Sequence, residues 1–252
     1  MKRADKYLES KPTAVLILAD FSDGSWHAIS FAMQFLYSPN SKLFILQTFQ
    51  SPKFGIFMTR NILPQLKKIT TYELNTLKTK LLANYNIENE HIELLSFKGE
   101  LANVLQNKLD LKYSYNIVIG TYSSFANSST MQNLCLTKVL NCSKNALFIL
   151  PKKFKQKESR KILFVGNSHK VPSTQIKNQI LKICKKSNSE LDILVVVKEE
   201  SQQMQMDVQH FFENYFKDVN YEINFVKNKS VCSGMKSFVK NDCKDLIIVE
   251  RN

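Results

Sequence analysis

The chain predicts an α/β fold built from tandem, open parallel sheets, and three observations carry that prediction. The first is the run Ala14-Val15-Leu16-Ile17-Leu18-Ala19-Asp20, where six apolar residues lead to an acid and a helical pattern follows at once. A buried parallel strand delivers a carboxylate to a strand-to-helix turn in this way. The second is the alternation of short apolar runs with segments of helical periodicity over residues 14–150. The third is the restart of that pattern beyond a basic interruption.

Each element follows from its residues. Ala14–Leu18 is strand one. Ser25–Leu36 is a helix, with Ile29, Ala32, Met33 and Leu36 at helical spacing. Leu43–Thr48 is strand two. A long helix runs from about residue 61 to 85 and shows Leu66, Ile69, Leu74, Leu77 and Leu81 as its stripe. His91–Phe97 is strand three, Glu100–Leu109 a short helix, and Asn116–Ile119 strand four, closed by Gly120. Ser128–Leu140 is a helix and Ala146–Leu150 strand five. Strands joined by helices imply right-handed crossovers and a parallel sheet covered on both faces.

The stretch from Pro151 to Lys161 breaks the pattern, with six Lys or Arg among its eleven residues. It reads as a linker; a tether for polyanions is the alternative. The pattern then repeats: 161–165 parallels strand one, 191–197 strand two, 221–226 strand three and 245–249 strand four. The offset between copies falls from 147 (Asp20 to Asn167) to 129 (Asn116 to Asp245). The second copy therefore has a shorter link between its strands two and three, and it stops after strand four. The expected domains are 1–151, a basic linker at 152–160, and a truncated copy at 161–252. An apolar strand left bare at 245–249 invites pairing. The expectation is that it is covered by the first domain or by a second subunit, with a homodimer formed if the fifth strand of domain one is free.

Composition bounds the function. The net charge is +13, supplied by 31 Lys and only 4 Arg spread along the chain. Readers of nucleic acid show clustered Arg or aromatic platforms on strands, and neither is present, so no specific nucleic-acid partner is expected. Cys135, Cys142, Cys184, Cys232 and Cys243 include no C-x-x-C pair, and no His lies near them. No zinc site and no disulfide framework is expected, and a reducing cytoplasm is the simplest compartment. Residues 1–13 are charged and do not read as a signal peptide, and no apolar run is long enough to span a bilayer.

Several segments together resemble the universal stress protein family. They are strand one ending in Asp20 before Phe21-Ser22, the Ala-rich first helix, Asn116-Ile117-Val118-Ile119-Gly120-Thr121, and Ala146-Leu147-Phe148-Ile149-Leu150-Pro151. The resemblance covers residues 14–151 by motif and 161–249 by pattern. It implies Rossmann-like five-stranded domains with strand order 3-2-1-4-5, the second copy lacking its last helix and strand. In the ATP-binding branch of that family, the aspartate matched by Asp20 contacts the nucleotide, and the position matched by Thr48 lines the adenine. The phosphates lie on a loop of form G-x-x-G-x9-G-[ST]. Glycines there let backbone N–H groups approach the phosphates.

The match to that loop is partial. Gly120 stands at its first glycine, but Ser123 and Asn133 replace the other two and Leu134 replaces the hydroxyl residue. Ser123, Ser124, Ser128, Ser129 and Thr130 offer hydroxyl donors or a helix cap. Asp20 is either a nucleotide ligand or a cap for the helix after it. In the second copy Asn167 replaces the acid, and Val249-Glu250-Arg251-Asn252 carries no glycine loop. The candidate cofactor-binding set is therefore Asp20, Thr48, Gly120, Thr121 and Ser123. No cofactor is expected, with ATP or AMP as the alternative.

No catalytic set stands out. Asp23 and His27 beside Ser22 and Ser25 lack the wider support a hydrolytic triad needs and read as a helix start. Trp26, the single tryptophan, reads as packing or as a stacking platform. Met204, Val208, Phe211, Phe212 and Tyr215 form one apolar helix face. The expected function is a non-enzymatic binding or regulatory protein in a stress response, with a degenerate nucleotide loop and a possible protein partner. An ATP- or AMP-binding protein is the runner-up and a slow nucleotide hydrolase the third reading.

Overall fold

The computed structural model describes residues 12–50, 56–110, 112–120, 139–140, 146–150, 161–166, 172–199, 201–241 and 244–250. The basic linker, Thr121, Ser123 and the serine-rich segment that follows them lie outside the described residues, as do Asn133, Leu134 and Asn167. The first half comprises β1 (Thr13–Leu18), α1 (Asp23–Phe31), β2 (Lys42–Phe49), α2 (Ile56–Asn84), β3 (Ile92–Lys98), α3 (Leu101–Asn107), β4 (Ser114–Gly120) and β5 (Ala146–Leu150). The second comprises β6 (Lys161–Gly166), α4 (Thr174–Ser187), β7 (Glu190–Val197), α5 (Gln202–Tyr215), β8 (Tyr221–Lys227), α6 (Val231–Asn241) and β9 (Leu246–Val249).

All nine strands form one sheet in the order β3-β2-β1-β4-β5-β9-β6-β7-β8. The first half keeps the order 3-2-1-4-5, and β8-β7-β6-β9 repeats 3-2-1-4. Pairing is parallel within each half. At the junction β5 pairs with β9 antiparallel, with Leu147 opposite Val249 and Ile149 opposite Ile247. A five-stranded first copy and a second copy without its own fifth strand were expected; the two halves share a single β5. That strand is paired on both sides, to β4 and to β9. The apolar strand 245–249 is thus covered by the first half, the intrachain form of the expected pairing. The edge argument for a homodimer through a free β5 falls away, because β5 is not free. The antiparallel junction also sends the carboxyl ends of the two half-sheets to opposite edges of the molecule.

Two apolar layers sandwich the sheet. One lies under α1, α2, α4 and α5 and runs across both halves, from Ile17, Phe31 and Phe35 through Phe148 to Phe164, Ile180 and Phe212. The other lies under α3 and α6 and includes Leu16, Phe44, Leu105, Ile149, Leu163 and Met235. Strands buried on both faces read as unbroken apolar runs, as β1 does. The aromatic face of α5 is core: Val208 and Phe212 are buried, and Met204, Phe211 and Tyr215 pack against them. In α2 the expected stripe holds at Leu74, Leu77 and Leu81 but not at Ile69. Thr70, Leu74 and Leu81 face inward, whereas Ile69 is 53 % exposed. The spacing 70-74-77-81 follows the helical period and leaves Ile69 off that face.

Polar bonds join the halves. Gln175 of α4 donates to the Asn116 side chain at 3.2 Å and accepts from the Ser114 hydroxyl at 2.8 Å, both on β4. Lys186 donates to the Gln34 carbonyl at 3.0 Å. That carbonyl lies where the end of α1 widens into a π-helical turn over Ala32–Leu36.

Candidate functional site

In the first half the strand order reverses between β1 and β4, and such switch points open a crevice at the carboxyl ends of the strands. The register sets the level of the candidates. Leu18 lies opposite Leu46 on one side and Ile119 on the other. Asp20, Thr48 and Gly120 therefore reach nearly the same height along three adjacent strands. Asp20 is 9 % exposed and Thr48 is 6 % exposed.

Local bonding turns Asp20 inward. Its carboxylate oxygen Oδ1 accepts from the Ser22 N–H at 3.1 Å, from the Ser22 hydroxyl at 2.6 Å, and from the Ser25 hydroxyl. The Asp20 N–H donates to Ser25 Oγ at 2.9 Å. Ser22, not Asp20, is the residue that caps α1, its hydroxyl accepting from the Ser25 N–H. Asp20 braces that cap from behind. Phe21 between them has φ of 62°, the left-handed region that a bulky residue enters only at a cost. The chain accepts that strain where the Asp20–Ser22–Ser25 network fixes both neighbours of Phe21.

Gly120 has a tight neighbour. A Cβ built on it would lie 2.4 Å from the Gly24 carbonyl oxygen and 2.6 Å from its carbonyl carbon. The end of β4 and the first turn of α1 meet backbone to backbone. Glycine is required here by helix–sheet packing, independent of any phosphate. Sequence reasoning missed Gly24, because its partner lies 96 positions along the chain (Gly24 to Gly120). Thr121 and Ser123 of the candidate set lie outside the described residues.

The second half fills its corresponding edge with its own carboxylate. Glu250, directly after β9, accepts from the Ser173 N–H through both oxygens, at 3.0 and 3.2 Å. Ser173 caps α4, so the charge sits at the positive end of that helix. The Tyr215 hydroxyl donates to the nearby Pro172 carbonyl, and burial together with the Glu250 charge raises its pKa.

Two other features were legible only in part. Trp26 is half-buried, with its ring centroid 6.4 Å from that of Tyr85 and the Lys80 ammonium 4.0 Å above it. Among the described residues, Glu88, Glu90 and His91 form one group of metal-ligand type. The ammonium groups of Lys42 and Lys78 donate to the Glu90, Asn89 and Ile92 carbonyls beside it and oppose a cation there. His27 makes no hydrogen bond to Ser22 or Ser25 among the described residues.

A doubly wound sheet with its candidate ligand edge at a strand-order switch is the class that this architecture defines. Comparison with solved structures narrows the class. A universal stress protein from Archaeoglobus fulgidus superimposes with a TM-score of 0.60 at 13 % identity, over 95 % of this chain and 96 % of that one. The chain has the fold of the universal stress proteins. A putative universal stress protein from Pseudomonas aeruginosa matches at TM-score 0.46 and 9 % identity, over 95 % of this chain and 93 % of its own. A universal stress protein in complex with cAMP matches at 0.41 and 21 % identity, over 56 % of this chain and 98 % of its own. No family model and no curated protein matches the sequence. No helix among the described residues is long and apolar enough to cross a membrane.

Proposed function

We propose that the chain is a non-enzymatic binding or regulatory protein of the universal stress type, acting in the cytoplasm, whose nucleotide edge has been given over to structure. The engagement of Asp20 by Ser22 and Ser25 carries this reading. A nucleotide drawing on that carboxylate would compete with the cap of α1. The departures at Ser123, Asn133 and Leu134 from the phosphate loop support the same view, since a leucine cannot donate to a phosphate. In the second half Glu250 already occupies the helix terminus that an anion would use.

A second reading is an ATP- or AMP-binding protein using Asp20, Thr48 and Gly120, favoured by their common height at the switch point. Calorimetry with ATP, ADP and AMP separates the two. The first expects no binding tighter than about 100 μM, equivalent to about 5.5 kcal/mol. Micromolar affinity, or nucleotide retained through purification, would establish the second. Association with another copy or with a protein partner, if it occurs, uses a surface other than the paired β5.

A further inference from the structure

The geometry points to a binding pocket for a small planar aromatic anion between the first turn of α1 and the middle of α2. The cavity has a volume of about 260 Å³ and is lined by Phe21, Trp26, Tyr72, Glu73, Leu77 and Lys80, with Ser22 and Thr76 at its margin. The α2 contributors, at 72, 73, 76, 77 and 80, share one helix face. On that face the helix presents an aromatic ring, an aliphatic floor and two charges.

Three rings converge on this space from two elements. Tyr72 is 73 % exposed and among the described residues is one of the few large apolar side chains left in solvent. Trp26 is half-buried. Phe21 is held at the rim by the left-handed backbone described above. Pockets of this kind use apolar walls for affinity and a few polar groups for orientation.

Glu73 and Lys80 bring opposite charges to the lining, and it is the Lys80 ammonium that stands over a ring, where an aromatic ligand would stack. The two hydroxyls are already used: Ser22 donates to Asp20, and Thr76 donates to the Tyr72 carbonyl at 3.0 Å. Lys80 has no carboxylate partner among the described residues; its ammonium rests 4.0 Å over the Trp26 ring. The cation position above the indole is therefore filled from within. A cationic ligand would have to displace Lys80 from that face. An anionic ring adds to the arrangement, stacking on the aromatic walls while its charged group meets the ammonium. The volume admits one or two fused rings, and a carboxylate is the simplest charged group that fits. This pocket lies on the α1–α2 face of the sheet, whereas the crevice of Asp20, Thr48 and Gly120 opens at the strand ends. The assignment does not rest on the function proposed above.

The test uses the full-length protein and a trifluoromethyl-benzoate followed by fluorine NMR, with Trp26 fluorescence as a second reporter. The corresponding benzamide and benzylammonium serve as neutral and cationic comparisons. The expected result is saturable benzoate binding that weakens at least about fivefold in Lys80→Gln and in Tyr72→Ala, about 1 kcal/mol. Both residues are exposed, and unchanged thermal melts would confirm that the variants fold. The benzamide should bind more weakly than the benzoate. No saturable binding by the wild type, equal binding by Lys80→Gln, or a preference for the benzylammonium would overturn the assignment. Displacement of the benzoate by ATP would also overturn it, by moving the site to the strand-end crevice.

Discussion

Replacing Gly120 with alanine sets a methyl group against backbone that cannot rotate away. The new Cβ would lie 2.4 Å from the Gly24 oxygen, 2.6 Å from its carbonyl carbon and 3.1 Å from its Cα. Ordinary van der Waals contact requires α1 and β4 to separate by about 1 Å, which a close-packed interior resists. The α1 start is tied to Asp20 through Ser22 and Ser25, and β4 is paired on both sides to β1 and β5. Neither can yield without losing hydrogen bonds. Overpacking costs about 1–3 kcal/mol, and a backbone-to-backbone clash belongs at the upper end of that range. For a chain of this size, about 3 kcal/mol lowers the Tm by about 6–12 °C. Thermal melts and urea titrations of Gly120→Ala read this directly. A fall of less than about 2 °C would refute the reasoning and leave Gly120 to be explained by a ligand.

Other perturbations test other parts of the fold. Leu147→Lys places a charge at a position only 2 % exposed and should abolish soluble folded protein, whereas a charge on an open strand edge would be tolerated; expression and light scattering distinguish the two. Lys244→Met leaves Asp192 without the ammonium that pairs with it and should lower stability by about 3 kcal/mol in urea titrations. Burial holds the Tyr115 hydroxyl at a pKa of about 12, above its unfolded value of 10.0. The folded state therefore keeps a proton that the unfolded state gives up, so this contribution is complete below about pH 10 and is lost as the pH rises towards 12. Tyr115→Phe should flatten that alkaline loss in pH-dependent melts. Burial likewise raises the Cys184 thiol to about 11, so a maleimide should label it only after denaturant is added, as peptide mass mapping would show.

Local chemistry was legible wherever it depended on near neighbours. The apolar runs at 14–18, 43–46 and 193–197 read as buried strands, because continuous apolar sequence bounded in this way needs cover on both faces. The cluster Asp20-Phe21-Ser22-Asp23-Gly24-Ser25 announced a strand-to-helix turn, and its hydroxyls and carboxylate do meet there. The α2 stripe was misjudged by one position at Ile69. Several leucines along a long helix allow more than one plausible face, and only the sheet beneath decides which is buried.

The sequence by itself determined the strand and helix alternation and the repeat of that pattern, because periodicity is a local property of the chain. Tertiary structure alone decided what β9 pairs with. One β5 closes both half-sheets, since an unpaired row of backbone donors and acceptors must find a partner and the nearest was in the other half. It also decided what Asp20 and Gly120 touch. A carboxylate and a glycine at the end of a strand suit a nucleotide or a helix start equally well. Ser25 and Gly24 are folded against them, a relation between surfaces that linear spacing does not record.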